Sequence, residues 1–492
     1  MFKHRILSAI LVVFSLITLV GCKDKTEDAY IYFELPQTPV TLDPQTASSD
    51  AELLIVRNIY EGLMRLDKTG KISEGACAEY SKNGLTYTFT LREDMYWNNG
   101  DPLTAKDFVF GLRRALDPET LAPFASRLFC IKNAKEVYSG ALAPEKLGVN
   151  APNDSTVKIT LEYEDKDFLY NLTTSVAMPC NEKVFKESAG KYGLFKDYIV
   201  SCGSYRLTKW NKESFGIRLY KNEEYNGTHI AKNAAVFLTC NNDKPVTEKL
   251  KENNIDIAFI DSAQSSEMET AGLKTADIQN ICWVMTMSND FSPEMRTALF
   301  SLVGSNVYNK NLKDGYVSAN SIYPEICNAV IDNVVVNSYN LEQGKALYSQ
   351  EVKKLEGSKF PSDIKLTYYD NGYVKPIVTD IVGHWQSNLS AFVNIEAVND
   401  AQLLLPQLKN QTLSISVFPV KAPSKNNAEY LVNFGINETN LSLVQENITK
   451  SKNIIPLFFQ DTTLCYSQNI SEISLTEDNG FIDFAFVVKT ED

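Results

Sequence analysis

Hydrophobic and polar positions change period several times along the chain, and each change predicts an element. AYIYFELPQTPVTLDP, residues 29–44, is an apolar strand running into a loop marked by Pro36 and Pro39. In SSDAELLIVRNIYEGLMRL, residues 48–66, Leu53, Val56, Ile59, Tyr60 and Leu63 recur at helical spacing behind a Ser49/Asp50 cap. Then the period shortens. Asn83-Gly84 is a hairpin turn signal, and LTYTFTLRE, residues 85–93, alternates Leu85, Tyr87, Phe89 and Leu91 with threonines, as a half-buried strand does. STVKITLEY, residues 155–163, and SYRLTKW, residues 204–210, alternate in the same way. In MYWNNGDPLTAKDFVF, residues 95–110, a polar turn precedes a helix start, where Thr104 and Asp107 have capping-box spacing. This segment holds no nucleophile, base or metal site, so it reads as architecture. Interleaved strands and helices predict a mixed α/β protein. Soft boundaries fall near residues 164–167, 241–245 and 421–427, and no internal repeat appears.

The first residues change the picture. Lys3 and Arg5 precede an apolar run over residues 6–20, then LVGC ends at Cys22. Fifteen residues fall short of the roughly 20 that a bilayer span needs, so residues 1–21 read as a secretory signal. Gly21 before Cys22 resembles a bacterial lipobox, in which the cysteine is acylated on sulfur and becomes the mature N-terminus. An ordinary signal peptide with a coincidental cysteine is the alternative. The expectation is an extracytoplasmic body tethered to the cell membrane by lipid at Cys22.

Net charge is −13 for the whole chain and −15 once Lys3 and Arg5 are removed, which argues against nucleic acid as partner. Eight further cysteines, at 77, 130, 180, 202, 240, 282, 327 and 465, are widely spread without zinc spacing, and isolated buried thiols are expected. With His229 and His384 they offer no facing metal pair, so no metal and no cofactor is assigned. No G-x-S-x-G or H-E-x-x-H motif is present, and nothing singles out a catalytic carboxylate pair. A binding receptor is the expected function and no enzymatic activity is expected. A secreted hydrolase, or a sensor or scaffold lipoprotein outside transport, stands as the alternative.

Several segments together resemble the family 5 extracellular solute-binding proteins, the lipid-anchored or periplasmic receptors of oligopeptide, dipeptide and nickel ABC importers. LDPQTASSDAELLIVRNIYEGLMRLDKTGKI, residues 42–72, resembles the family's opening, and TYTFTLREDMYWNNGDPLTAKDFVFGLRRALDPET, residues 86–120, its best-known stretch. SCGSYRLTKW, FGIRLYKNEEY, EMRTALFSL and IIPLFFQDTTLCYSQNISEI follow in family order. The likeness is dense over residues 42–261, thinner to 404 and poor over 411–453.

The resemblance implies a two-lobed periplasmic-binding-protein-like fold, type II and cluster C-like, with a hinge and an extra domain. By matching, residues 22–50, 165–265 and 470–492 form lobe I, 51–164 the extra domain packed on it, and 266–469 lobe II. The implied function is capture of short peptides by lobe closure, as a monomer working with a membrane permease. The implied ligand contacts are Gln37 and Thr38 after the first strand, the loop Cys202, Gly203, Ser204 and Tyr205, then Trp283 and Met285, and Phe418 and Lys421. Ser204 replaces the family's usual proline. Where relatives carry an acid for a peptide's ammonium group, residues 415–427 here hold Lys421 and Lys425 and no Asp or Glu. A blocked or anionic ligand meeting Lys421 is therefore expected.

Overall fold

The computed structural model describes residues 29–490 except 212–215, 242, 328, 330–338, 356, 358, 361–363, 400–414, 423–426, 435, 437–439, 474 and 476–481. Cys22 and Lys425 lie outside the described residues.

The predicted first strand, β1 (Tyr30–Glu34), and helix, α1 (Asp50–Ile59), both form. Ser49 caps α1, and the Glu52 carboxylate accepts four backbone N–H groups, from Val40 (2.9 Å) and Thr41 (3.0 Å) on one oxygen and Ser48 (2.9 Å) and Ser49 (3.0 Å) on the other. One side chain thus gathers the loop onto the helix start. Every residue from Ala51 to Ile59 is buried, which explains why α1 is apolar on nearly all sides. Each fully buried Leu, Ile or Val adds roughly 1.5–3 kcal/mol.

The alternating segments form a four-stranded antiparallel sheet from β2 (Cys77–Asn83), β3 (Thr86–Leu91), β4 (Val149–Asn153) and β5 (Thr156–Thr160), in the order β2-β3-β5-β4. Gly84, with φ +58°, makes the turn between the first two. Helix α2 (Ala105–Leu116) covers this sheet, and the Asp107 carboxylate accepts from both the Thr104 N–H (2.8 Å) and its hydroxyl (3.0 Å). Trp97, in the polar turn before α2, is fully buried edge-on to Tyr60.

The extra domain shares one continuous core with lobe I. Buried charge joins them too. Arg114 reaches Asp43 (2.7 Å) and Gln45 (2.7 Å), so the Leu-Asp-Pro turn is tied to α2. Arg65 bridges Glu61 (2.8 Å) and Asp483 (2.6 Å), and Asp483 also meets His229 Nδ1 (2.9 Å). Burial alone would raise the Asp483 carboxyl's pKa, but Arg65 and His229 outweigh it and hold it well below the carboxylate range. His229 is thus a buried partner of that ion pair.

A single eleven-stranded mixed sheet runs through both lobes. Lobe I contributes β6 (Tyr205–Asn211), β7 (Gly216–Lys221), β8 (Ala235–Thr239), β1 and β9 (Ile257–Asp261), with α3 (Val246–Lys251) and α4 (Ser265–Thr270) beside β9. The long strands β10 (Lys274–Met287) and β15 (Ile454–Tyr466) pair antiparallel and cross between the lobes. Lobe II adds β11 (Tyr316–Ser318), β12 (Lys365–Tyr369), β13 (Asn394–Val398) and β14 (Ile415–Lys421), flanked by α5 (Pro293–Phe300), α6 (Leu341–Val352), α7 (Lys375–Leu389) and α8 (Leu441–Ser451). Its sheet has a core on each face, one built on Trp283, Met285 and Trp385, the other on Phe418, Val420 and Phe459.

The crossover differs from the boundaries expected at 265 and 469. Met268, Leu273 and Cys465 pack with Leu250, Ala258 and Ile260 in lobe I, whereas Ile278 packs on the lobe II core, so β10 passes between the cores after Leu273, just before the β-bulge where Gln279 and Ile281 flank Asn280. No disulfide joins the eight described cysteines, and seven of them are buried. Among the described residues no helix is long and apolar enough to cross a membrane.

Candidate ligand cleft between the lobes

Because β10 and β15 bend at the bulge, the residues beside it sit where the lobes meet. Asn280 gives its carbonyl to the Ala422 N–H (2.7 Å), and its side-chain oxygen accepts from the Thr462 hydroxyl (2.7 Å). Asp261, the last residue of β9, accepts from Tyr316 (3.1 Å), Gln460 (3.1 Å) and Asn371 (3.2 Å). Tyr316 and Asn371 belong to lobe II, so this network spans the hinge. Burial raises the Asp261 carboxyl's pKa against these donors. On β15, Asp461 is pushed up to about 6 by burial, with Asp277 and Glu325 adding like charge.

Beyond the hinge, among the described residues, one ion pair links the two sides. Lys421 Nζ at the end of β14 lies 2.7 Å from Asp50 Oδ2 at the first turn of α1. The Glu52 contacts hold the start of that helix and the loop after β1 in place, and on this loop Gln37 is exposed and Thr38 half-exposed. Asp50 and Lys421 are therefore partly exposed polar groups where the lobes meet, and Gln37 and Thr38 are polar groups that reach solvent on the loop tied to α1.

The side chains at the other expected ligand contacts are buried. Trp283 is 1% exposed, stacked on Tyr369 and Phe458, and donates its indole N–H to Gln460 Oε1 (2.6 Å). Met285 and Phe418 face the two lobe II cores on opposite sides of the sheet. Cys202 and Gly203 both donate their N–H to the Ile59 carbonyl, at 3.0 and 2.9 Å, and the Cys202 sulfur accepts from the Glu61 N–H. An added Cβ at Gly203 would stand 2.8 Å from the Ile59 carbonyl carbon. Tyr205 is fully buried and donates its hydroxyl to the Phe484 carbonyl (3.2 Å), while Ser204 is buried beside it. That loop is committed to closing lobe I against α1.

Sequence reasoning missed Asp50 as a partner of Lys421, since 371 residues separate them and no local signal connects them. Asp261, Asn371 and Gln460 were missed for the same reason. Among the described residues no cluster of His, Cys, Asp and Glu has the arrangement of a metal site.

Comparison with known proteins fits this geometry. The oligopeptide-binding protein OppA of Bacillus subtilis is 27% identical over 395 residues, covering 76% of this chain and 72% of that protein. The dipeptide-binding protein of Lactococcus lactis is 28% identical over 295 residues, and the match spans 58% of this chain but only 54% of that relative's length. The solved structure of Listeria monocytogenes OppA bound to peptide superposes with a TM-score of 0.76 at 19% identity, over 94% of this chain and all of that one, which establishes the fold. The family described as bacterial extracellular solute-binding proteins, family 5, matches residues 43–440. Two lobes on a bulged strand pair, an extra domain fused to lobe I and this match over most of the sequence place the chain in that family, to which it belongs.

Proposed function

We propose that the protein is the extracytoplasmic receptor of an ABC importer that captures short peptides by closing its lobes around them. The observation that carries this reading is the pairing of a two-lobed family 5 fold with relatives named for oligopeptide and dipeptide binding. The bulged β10–β15 crossing supplies a place to bend, and a ligand favours closure only through contacts that are better in the closed state. Gln37, Thr38 and Lys421 are the proposed side-chain contacts, with Asp50 completing the charged rim. Cys22 carries the lipid that holds the receptor outside the cell membrane, where it works as a monomer with a permease. It performs no chemistry on its ligand.

The test is a thermal-shift screen of the mature chain against di- to pentapeptide pools, sugars, haem and nickel chelates, since a bound solute raises apparent stability by mass action. Peptides should stabilise it and be recovered intact by mass spectrometry. Stabilisation by sugars alone, or cleavage of the peptides, overturns the reading.

A further inference from the structure

The outer face of the lobe I sheet is aromatic and cationic in a chain of net charge −13. On β1, Ile31 and Phe33 point into the core, while Tyr30 and Tyr32 on the opposite face remain 44% and 41% exposed. Phe237 of β8 stacks against Tyr30 at 5.4 Å and lies 5.3 Å from Tyr32, and Arg218 of β7 sits 5.3 Å over the same ring. Register carries the pattern outward. Arg206 pairs with Tyr220 and Lys209 with Arg218 across β6 and β7, so these side chains share the face, and Arg206, Lys209 and Arg218 are exposed.

The four strands β1, β8, β7 and β6 contain one acid, Glu34, and it is neutralised by Lys249 (2.9 Å). Asp256 beside them is neutralised by Lys489 (2.8 Å), whose ammonium also lies over Tyr32. Among the described residues Arg206, Lys209 and Arg218 have no carboxylate partner. Tyrosine rings with guanidinium and ammonium groups suit the interface of an anionic bilayer, where the ring is half-buried at headgroup level and each cation near the surface strengthens attachment roughly fivefold.

Chain length says what this face meets. Seven residues, 23–29, separate Cys22 from Tyr30, the first residue of the patch. At no more than about 3.6 Å per residue, a lipid on Cys22 confines Tyr30 to within about 30 Å of the bilayer. We propose that the β1-β8-β7-β6 face of lobe I rests on the surface of an anionic membrane, which would fix how the tethered receptor stands. This rests on acylation of Cys22.

The test uses the acylated full chain in phosphatidylcholine vesicles with and without phosphatidylglycerol, read by vesicle flotation and by the rate of lysine acetylation. Flotation tests the anchor by itself. The face is tested by Lys209 against Lys310, an exposed lobe II lysine. In phosphatidylglycerol vesicles Lys209 should react at least threefold more slowly relative to Lys310 than in phosphatidylcholine alone. The Arg206→Glu/Arg218→Glu double variant should abolish that protection while floating as before and keeping its ligand-induced stabilisation. Equal rates in both lipids overturn the proposal. So does protection that persists in the double variant, or that appears without vesicles as protein concentration rises, which would mark a second copy or another protein as the occupant.

Discussion

Lys421 of lobe II and Asp50 of lobe I meet at 2.7 Å, an ion pair between residues 371 positions apart. Both side chains are partly exposed, at 29% and 45%, so the pair contributes about 1 kcal/mol or less. That suffices to bias two lobes whose open and closed states differ by little. Lys421→Asp should therefore open the lobes and weaken ligand binding about fivefold or more, and the double exchange Asp50→Lys/Lys421→Asp should restore the closed lobes but not the affinity that Lys421 supplies by contact. Small-angle scattering of the free protein and ligand titration check this. Full recovery of affinity in the double variant would show that Lys421 acts only through Asp50 and would remove it from the ligand contacts.

Glu52 organises the loop that carries Gln37 and Thr38. Burial works to raise its carboxyl's pKa, but bonds from Ser48, Ser49, Thr41 and Val40 outweigh it and leave the pKa below the ordinary 4.5. A lowered carboxylate pKa gives stability that is present above pH 4.5 and lost as pH falls through the folded value. Glu52→Gln should cost about 2 kcal/mol at pH 7, and this difference should shrink on acidification below pH 4.5. Urea unfolding at pH 7 and pH 3.5 measures both.

Asp461 carries the opposite sign. Its folded pKa, about 6, lies above the ordinary 3.8 through burial, then Asp277 and Glu325. The unfolded chain ionises first as pH rises, so this group costs stability from pH 3.8 upward, fully above pH 6. Asp461→Asn should raise the melting temperature at pH 7.5, by about 1–2 kcal/mol of stability, and change little at pH 3.5. No gain at pH 7.5 would show that burying the Asp461 carboxylate beside Asp277 and Glu325 carries no such cost.

Trp283 is a packing and hydrogen-bonding residue. Trp283→Phe keeps the stack with Tyr369 and Phe458 but strands the Gln460 oxygen, so it should cost about 1–3 kcal/mol while leaving ligand affinity within twofold. Unfolding and ligand titration on one variant separate the two roles.

Cys22→Ala should leave unprocessed precursor and release no acylated product on metabolic labelling with palmitate. A variant that matures and stays membrane-bound would remove the lipid anchor.

Local order was legible in the sequence because it depends on near neighbours. The Ser49 cap, the Gly84 turn, the Thr104–Asp107 start and the alternating strands all appear where periodicity and capping chemistry put them. The Leu-Asp-Pro and Tyr-Glu-Gly-Leu segments carried the family, and the structure supplies their reason: Asp43 and Glu61 are buried ion-pair partners of Arg114 and Arg65.

What a side chain faces was decided only by the tertiary structure. Tyr205, Trp283 and Phe418 have the chemistry of ligand contacts, but strand register turns them into the cores of their lobes. The lobe I core runs past residue 265 because Met268 and Leu273 bury against β9, a contact set by the fold and not by the local pattern. Lys421 found an acid on the other lobe, and only folding brings positions 50 and 421 together. Pattern determines which face of an element is apolar; long-range packing determines whether that face meets protein, solvent or ligand.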